Sequence, residues 1–337
     1  MSTTTLSSPS PTVSVANQAS PLVMRVIGAC ALAHLINDLI QAVLPSIYPM
    51  LKASYGLSFT QVGLITLTFQ LTASLLQPWI GFYTDRHPKP WLLPAGMVCT
   101  LIGILMLSMV GSFPAILVAS ALVGVGSSTF HPETSRVARL ASGGRYGLAQ
   151  STFQVGGNAG SAFGPLLAAA IIIPYGQGNV AWFGLFAVFA ILVQYGLSRW
   201  YRNHLNLFKL KQGSKATHGL SKQRVTFALV VLALLVFSKY FYMASFTSYF
   251  TFDLVEKFDL SVASSQLYLF LFLGAVAAGT FFGGPIGDRI GRKQVIWFSI
   301  LGAVAAGTFF GGPIGDRIGR KQAVSYTHLT LPTNREV

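Results

Sequence analysis

Long, mainly apolar runs, each about the length that crosses a bilayer, recur through this chain and constrain its fold more than any motif does. They fall near residues 24–50, 59–80, 91–110, 114–132, 147–173, 180–198, 225–250, 262–283 and 295–312. About 20 mainly apolar residues in a helix span the hydrocarbon core. Nine such runs, mostly joined by loops too short to hold a domain, describe an all-α polytopic membrane protein. Composition agrees, because 52% hydrophobic and 9% charged residues with a mean hydropathy of +0.58 are too apolar for a soluble chain of 337 residues. A net charge of +14 would suggest nucleic acid if the chain were soluble. Here the basic residues cluster between apolar runs, so the expected surroundings are a lipid bilayer, with no nucleic-acid partner.

Counting bases on alternate sides of the runs gives an orientation. Arg25, Arg86, Lys89, Arg136, Arg139, Arg145, the seven basic residues between Arg199 and Arg224, and Arg289, Arg292 and Lys293 share one side, sixteen in all. Lys52 and Lys257 fall on the other. The positive-inside rule puts the sixteen, and with them the N-terminus, in the cytoplasm. Residues 1–21 carry no charge, are rich in Ser, Thr and Pro, and read as a disordered cytoplasmic tail. Cys30 and Cys99 lie within apolar runs and read as packing residues, so no metal site and no cofactor is expected.

The stretch GGPIGDRIGRK at Gly283 to Lys293 recurs at two levels of fidelity. A worn copy, GFYTDRHPKP, lies 203 residues upstream at Gly81 to Pro90, and the same shift carries the first two runs onto the seventh and eighth. Two six-helix halves joined by a basic loop follow from that offset. A perfect copy lies 28 residues downstream, where Leu301 to Gln322 repeats Leu273 to Gln294. If residues 295–310 cross the membrane, this second copy faces the side opposite to its twin. Val324 to Thr333, VSYTHLTLPT, is also similar to a translated sequencing-library adapter. The expected organisation is therefore a tail at 1–21, a six-helix bundle at 22–198, a basic cytoplasmic loop at 199–224, a partial second bundle at 225–301 and a chimeric tail at 302–337.

Polar residues inside the runs mark the chemistry. His34, Asp38 and Gln41 share one helical face, with Asn37 alongside. A carboxylate in mid-membrane is functional by default, so Asp38 is read as the proton-coupling group, with a structural ion pair as the alternative. Lys239 is the basic residue in the middle of the seventh run, on a face with Tyr242, Phe246 and Tyr249. It reads as the best candidate partner for Asp38, against snorkelling to the interface. The fourth run ends in FHPE, where Pro132 can open the last helical turn and His131 and Glu133 can relay a proton. An ordinary charged helix end explains Glu133 as well. In the fifth run Gly156, Gly160 and Gly164 recur every four residues and make a smooth face for another helix. Gln154, Asn158 and Ser161 lie on a different face, which is read as lining a polar cavity with Gln41, Lys239 and Tyr242.

Together HLINDLIQAVLPSIYP (34–49), LTFQLTASLLQP (67–78), SSTFHPETSRVARLASGG (127–144), FQVGGNAGSAFGPLLAA (153–169) and FSKYFYMASF (237–246) resemble exporters of the major facilitator superfamily, from about residue 21 to 302. The resemblance implies that fold, with a complete N-terminal half and the first spans of the C-terminal half, and in it the first and seventh spans flank the central cavity. It also implies a cytoplasmic gate at Gly284, Asp288, Arg289, Gly291 and Arg292, with a weaker counterpart at Gly81, Asp85 and Arg86, whose acid can interact with the start of the next helix and with nearby guanidinium groups. A bland reading leaves these loops to set topology only. Gly160 to Pro165, GSAFGP, resembles an antiporter motif, although Ala168 and Ala169 replace its closing glycines.

The function implied is proton-driven antiport that removes a phosphonate antibiotic or similar small anion across a bacterial inner membrane, by a monomer. Proton-symport uptake of an organic anion is the alternative on the same fold. Another is that the chain as written, taken as a C-terminal truncation, has no activity. The chain offers neither metal-ligand spacing nor a nucleophile and base pair, so an enzyme is not expected.

Overall fold

The computed structural model describes residues 22–205 and 221–291, together with Gln294, Trp297 and Phe298. Among the described residues there is no strand, and eight helices are long and apolar enough to cross a membrane. They are span 1 (Met24–Tyr55), span 2 (Phe59–Arg86), span 3 (Leu92–Met109), span 4 (Phe113–Ala141), span 5 (Tyr146–Ile172), span 6 (Gln177–Asn203), span 7 (Lys222–Phe258) and span 8 (Val262–Phe282). The expected tail at 1–21, most of the central basic loop, and the ninth run with everything after it lie outside the described residues.

Local sequence sets where the spans begin, bend and end. Span 1 breaks at Ile47, between Pro45 inside one helix and Pro49 in the first turn of the next, and stops at Gly56, whose φ of 60° suits glycine. Span 2 opens on a reciprocal cap in which the Ser58 hydroxyl accepts from the Gln61 backbone and the Gln61 side chain accepts from the Ser58 backbone. Span 5 relaxes into a π-turn at Ala168–Ile172, just after Pro165, whose ring removes one backbone donor.

Span 4 departs from the sequence expectation. Instead of ending near Pro132, the helix continues to Ala141 with Pro132 inside it. Its polar end is enclosed by protein: Glu133, Thr134, Val137 and Ala138 are buried there. Hydropathy underestimates a helix that is covered by other helices rather than by lipid.

Spans 1 to 6 form a bundle in which span 1 lies along span 5 and span 3 lies along span 4. Side chains on Gly156 and Gly160 would run into the backbone carbonyls of Ala31 and Leu35, and one on Gly164 would strike Ala42. Residue numbers rise together along this seam, so spans 1 and 5 run in the same direction at a distance that only glycine permits. The seam between spans 3 and 4 is equally close, with Gly96 and Gly126 facing Thr129 and Thr100.

The chain divides into two units, Met1–Ala277 and Ala278–Val337. Within the first unit, the C-terminal part of span 7 and span 8 meet the bundle at one end. Thr66 Oγ1 lies 3.1 Å from Ser248 Oγ, Gln266 donates to the Ser46 carbonyl at 2.7 Å, and Phe59 packs edge-on against Phe252. The preceding stretch of span 7, from Phe227 to Tyr242, leaves most of its large apolar side chains exposed.

Candidate functional site

The polar face of span 1 meets span 4 and span 5 around one carboxylate. Asp38 Oδ2 lies 3.2 Å from His34 Nε2, one helical turn before it, and Asp38 Oδ1 lies 3.6 Å from His131 Nε2 on span 4. Asn37 and Gln41 donate their amide N–H groups to Oδ1 at 3.0 and 3.2 Å. The Ser127 hydroxyl donates to Gln41 Oε1 at 3.2 Å, and Ser127 Oγ lies 3.2 Å from His131 Nδ1. A chain of hydrogen bonds thus runs from Asp38 through Gln41 and Ser127 to His131, whose Nε2 returns to within 3.6 Å of Asp38.

Backbone carbonyls fix both histidine tautomers. His34 Nδ1 is 2.7 Å from the Phe153 carbonyl, and His131 Nδ1 is 3.0 Å from the Ser127 carbonyl. A carbonyl oxygen only accepts, so each Nδ1 carries a hydrogen and each Nε2 is turned to Asp38. With both rings neutral and Asp38 ionised, each of these contacts sets acceptor against acceptor. A proton in either contact converts it into a charge-assisted hydrogen bond. The arrangement is a proton-binding geometry built by three helices.

The two histidines sit in different surroundings. His34 is 2% exposed, stacked on Phe153 with ring centres 4.0 Å apart, whereas His131 is 26% exposed. Gly157 makes room for this packing, since a side chain there would enter the His34 ring and the Asp38 carboxylate. The ligand atoms of His34, Asp38 and His131 all lie within 4.8 Å of one another. Two imidazoles and a carboxylate suit a divalent transition ion chemically. Here both Nε2 atoms are turned to the carboxylate, 3.2 Å away for His34 and 3.6 Å for His131, a geometry in which an added proton can be shared.

Glu133 is two residues beyond His131, about 200° around the helix, and joins a different cluster. It is fully buried and ion-paired with Arg136, whose other nitrogen pairs with Asp85 of span 2. Arg136 also donates to Thr84 Oγ1 at 3.1 Å and to the Gly81 carbonyl at 3.4 Å. Tyr201 of span 6 lies within electrostatic reach of the same charges. Glu133 is thus part of an ionic clasp, apart from the proton triad with which the sequence grouped it.

The major facilitator superfamily pattern matches residues 30–310. The chain belongs to this superfamily. Its members are membrane transporters rather than enzymes, which agrees with the all-helical fold. The chain is 58% identical over 272 residues to the "Fosmidomycin resistance protein" of Escherichia coli (strain K12), an alignment that covers 81% of this chain and 67% of that protein. It is 39% identical over 277 residues to the "Uncharacterized MFS-type transporter YfnC" of Bacillus subtilis (strain 168), with the same two coverages. Among solved structures, an inward-facing, unoccupied bacterial homologue of the human lysosomal transporter Spinster superposes with a TM-score of 0.60 at 17% identity. That match covers 80% of this chain and 63% of the other, so the chain spans a little under two thirds of that transporter's length.

Within the superfamily fold the remaining sequence expectations can be placed. Asp85 does not stand at the start of a helix but in the last turn of Leu76–Arg86, where a negative charge opposes the helix dipole and Arg136 compensates it. Arg86 lies over the Phe82 ring, 3.8 Å from its centre, and takes no part in the clasp. Gly291 ends the helix Val262–Ile290 at a φ of 97°. Gly284, Asp288 and Arg289 fall within that helix, but their side chains, like all of Arg292, are outside the described residues. So is the Lys239 side chain, and with it the expected pairing to Asp38. Gln154 donates to Asn158 at 3.2 Å on span 5, and Tyr242 is 61% exposed, its ring stacked on Phe246.

Sequence reasoning did not single out Ser127, the Phe153 carbonyl, Arg136 as a clasp or Gly157. A signal existed for two of them. Ser127 precedes His131 by one helical turn, and Gly157 doubles a glycine that already had a packing role.

Proposed function

We propose that this chain is a proton-coupled antiporter that exports fosmidomycin, or a similar small anionic compound, across the bacterial inner membrane by alternating access. The relative named for fosmidomycin resistance supports the substrate class and the direction of transport. The observation that carries the mechanism is the triad, in which one carboxylate receives two imidazole Nε2 atoms whose opposite nitrogens are committed to carbonyls. A proton entering there changes both the charge and the hydrogen bonding between spans 1 and 4.

Coupling requires that proton and substrate favour different states, since a ligand with equal affinity for both moves nothing. The Gln154 and Asn158 face of span 5, with Lys239 and Tyr242 of span 7, forms the proposed substrate side. The polar contacts at Ser46, Thr66, Ser248 and Gln266 form the proposed closed outer gate. Arg136, Asp85 and Glu133, with Gly81, form the proposed inner one. By the positive-inside rule the N-terminus is cytoplasmic, and a single chain is the proposed transport unit.

One observation favours a second reading. His131 is the more exposed histidine, and a proton on it adds positive charge that draws an anion in. An anion bound at His131 would enter together with the proton, which is symport. Antiport therefore requires the anion to bind on the span 5 and span 7 side.

Inverted membrane vesicles separate the two readings. With an acid-inside proton gradient built by respiration, antiport accumulates labelled fosmidomycin inside as protons leave. No accumulation, or expulsion that grows with the gradient, rejects antiport in favour of symport or of no coupling.

A further inference from the structure

The two protonation places in the triad are unequal. His34 is sealed: it is 2% exposed, stacked on Phe153 and tied through Nδ1 to the Phe153 carbonyl. Phe130 lies on another side, with ring centres 5.8 Å apart, and the His131 ring meets it edge-on at 5.0 Å. Gly157 closes span 5 over the same ring. The remaining contact of His34, through Nε2, is with Asp38. His131 differs at each point. It is 26% exposed, its Nδ1 contacts are to its own helix, and its separation from Asp38 is 3.6 Å rather than 3.2 Å.

Among the described residues, the charged or titratable groups that act on Asp38 are His34 from its own helix and His131 from span 4. Span 5 brings to the triad the Phe153 carbonyl and ring and the Gly157 backbone, and Glu133 and Arg136 of span 4 pair with each other.

We infer that the triad holds two protons of different kinds: a retained one between His34 and Asp38, kept by span 5, and an exchangeable one at His131 that enters and leaves during transport. This deepens the proposed proton coupling and rests on it. The exchangeable step is one N–H bond made and broken at His131 Nε2, with the proton drawn from and returned to water reaching its exposed side. In this account His34 is a positioning residue. It holds a fixed charge against Asp38 and keeps the carboxylate aimed at His131. Coupling then amounts to one proton from this site per cycle, although two nitrogens could accept one.

The test is nitrogen-15 NMR of the histidine-labelled chain in detergent, which reads protonation and water exchange without requiring transport. The chain has six histidines, and His34→Gln and His131→Gln assign the two signals by their loss. If either variant fails to fold, Ser127→Ala assigns the pair by shifting the His131 signal, since Ser127 Oγ lies beside its Nδ1. Across about pH 5 to 8, where imidazoles ordinarily titrate, the His131 signals should shift and exchange with water. Those of His34 should stay fixed and protected. Both rings titrating on one curve, or His34 exchanging as fast as His131, overturns the inference. Proton-driven transport by Asp38→Asn would instead overturn the coupling reading itself, whatever the spectra show.

Discussion

Span 4 carries two charged assemblies five residues apart, and they are built on opposite logic. At His131 the groups are ones that can gain or lose protons, the carboxylate is shared by two bases, and one histidine is partly exposed. At Arg136 a guanidinium that keeps its charge at any physiological pH bridges two acids, and the second of them, Glu133, is fully buried. In the proposed mechanism the first assembly changes its charge without moving its chain. The second keeps its charge and fastens span 2 to span 4, so that only a movement of helices can alter it. An alternating-access carrier needs one device of each kind: one that senses the proton and one that resists or permits the rearrangement.

The comparison breaks most directly at the two central residues. Asp38→Asn should reduce gradient-driven transport to the level of vesicles without the protein, with normal amounts in the membrane by immunoblot. Arg136→Ala should act on stability first. Stranding a buried Glu133 costs about 3–5 kcal/mol, seen as a lowered unfolding midpoint in detergent. Adding Glu133→Gln should recover most of that loss, because the orphaned charge goes with it. The same double substitution at the triad, Asp38→Asn with His131→Gln, should restore no coupling.

Much of the first half of this picture can be read in the sequence. The close-packing face of span 5 follows from Gly156, Gly160 and Gly164, and the polar face of span 1 from His34, Asp38 and Gln41. Each depends on periodicity within one helix. Contacts between helices far apart in sequence were not legible. Nothing in the order of residues says that His131 reaches Asp38 across 93 positions, or that Arg136 rather than Arg86 answers Asp85. Glu133 was grouped with His131 because they are neighbours in sequence, but a two-residue step sends them to opposite sides of the helix.

Smaller effects sharpen the contrast. Gly160→Val should destabilise by about 1–3 kcal/mol through overpacking against the Leu35 carbonyl, a cost read in the unfolding midpoint. Ser127→Ala removes one link of the hydrogen-bond chain, and a loss of about 0.5–1.5 kcal/mol should slow transport by up to about tenfold. Gly196→Ala, on a span 6 site with open space around it, should leave both stability and transport unchanged.

The measurement that tests the central claim most directly is substrate-induced proton flux. In inverted vesicles holding an imposed proton gradient and a pH-sensitive dye, adding fosmidomycin should collapse part of the gradient when the wild-type chain is present. It should do nothing with Asp38→Asn at equal protein. A collapse of equal size in Asp38→Asn would contradict the account, because the proton would then be moving somewhere other than the triad.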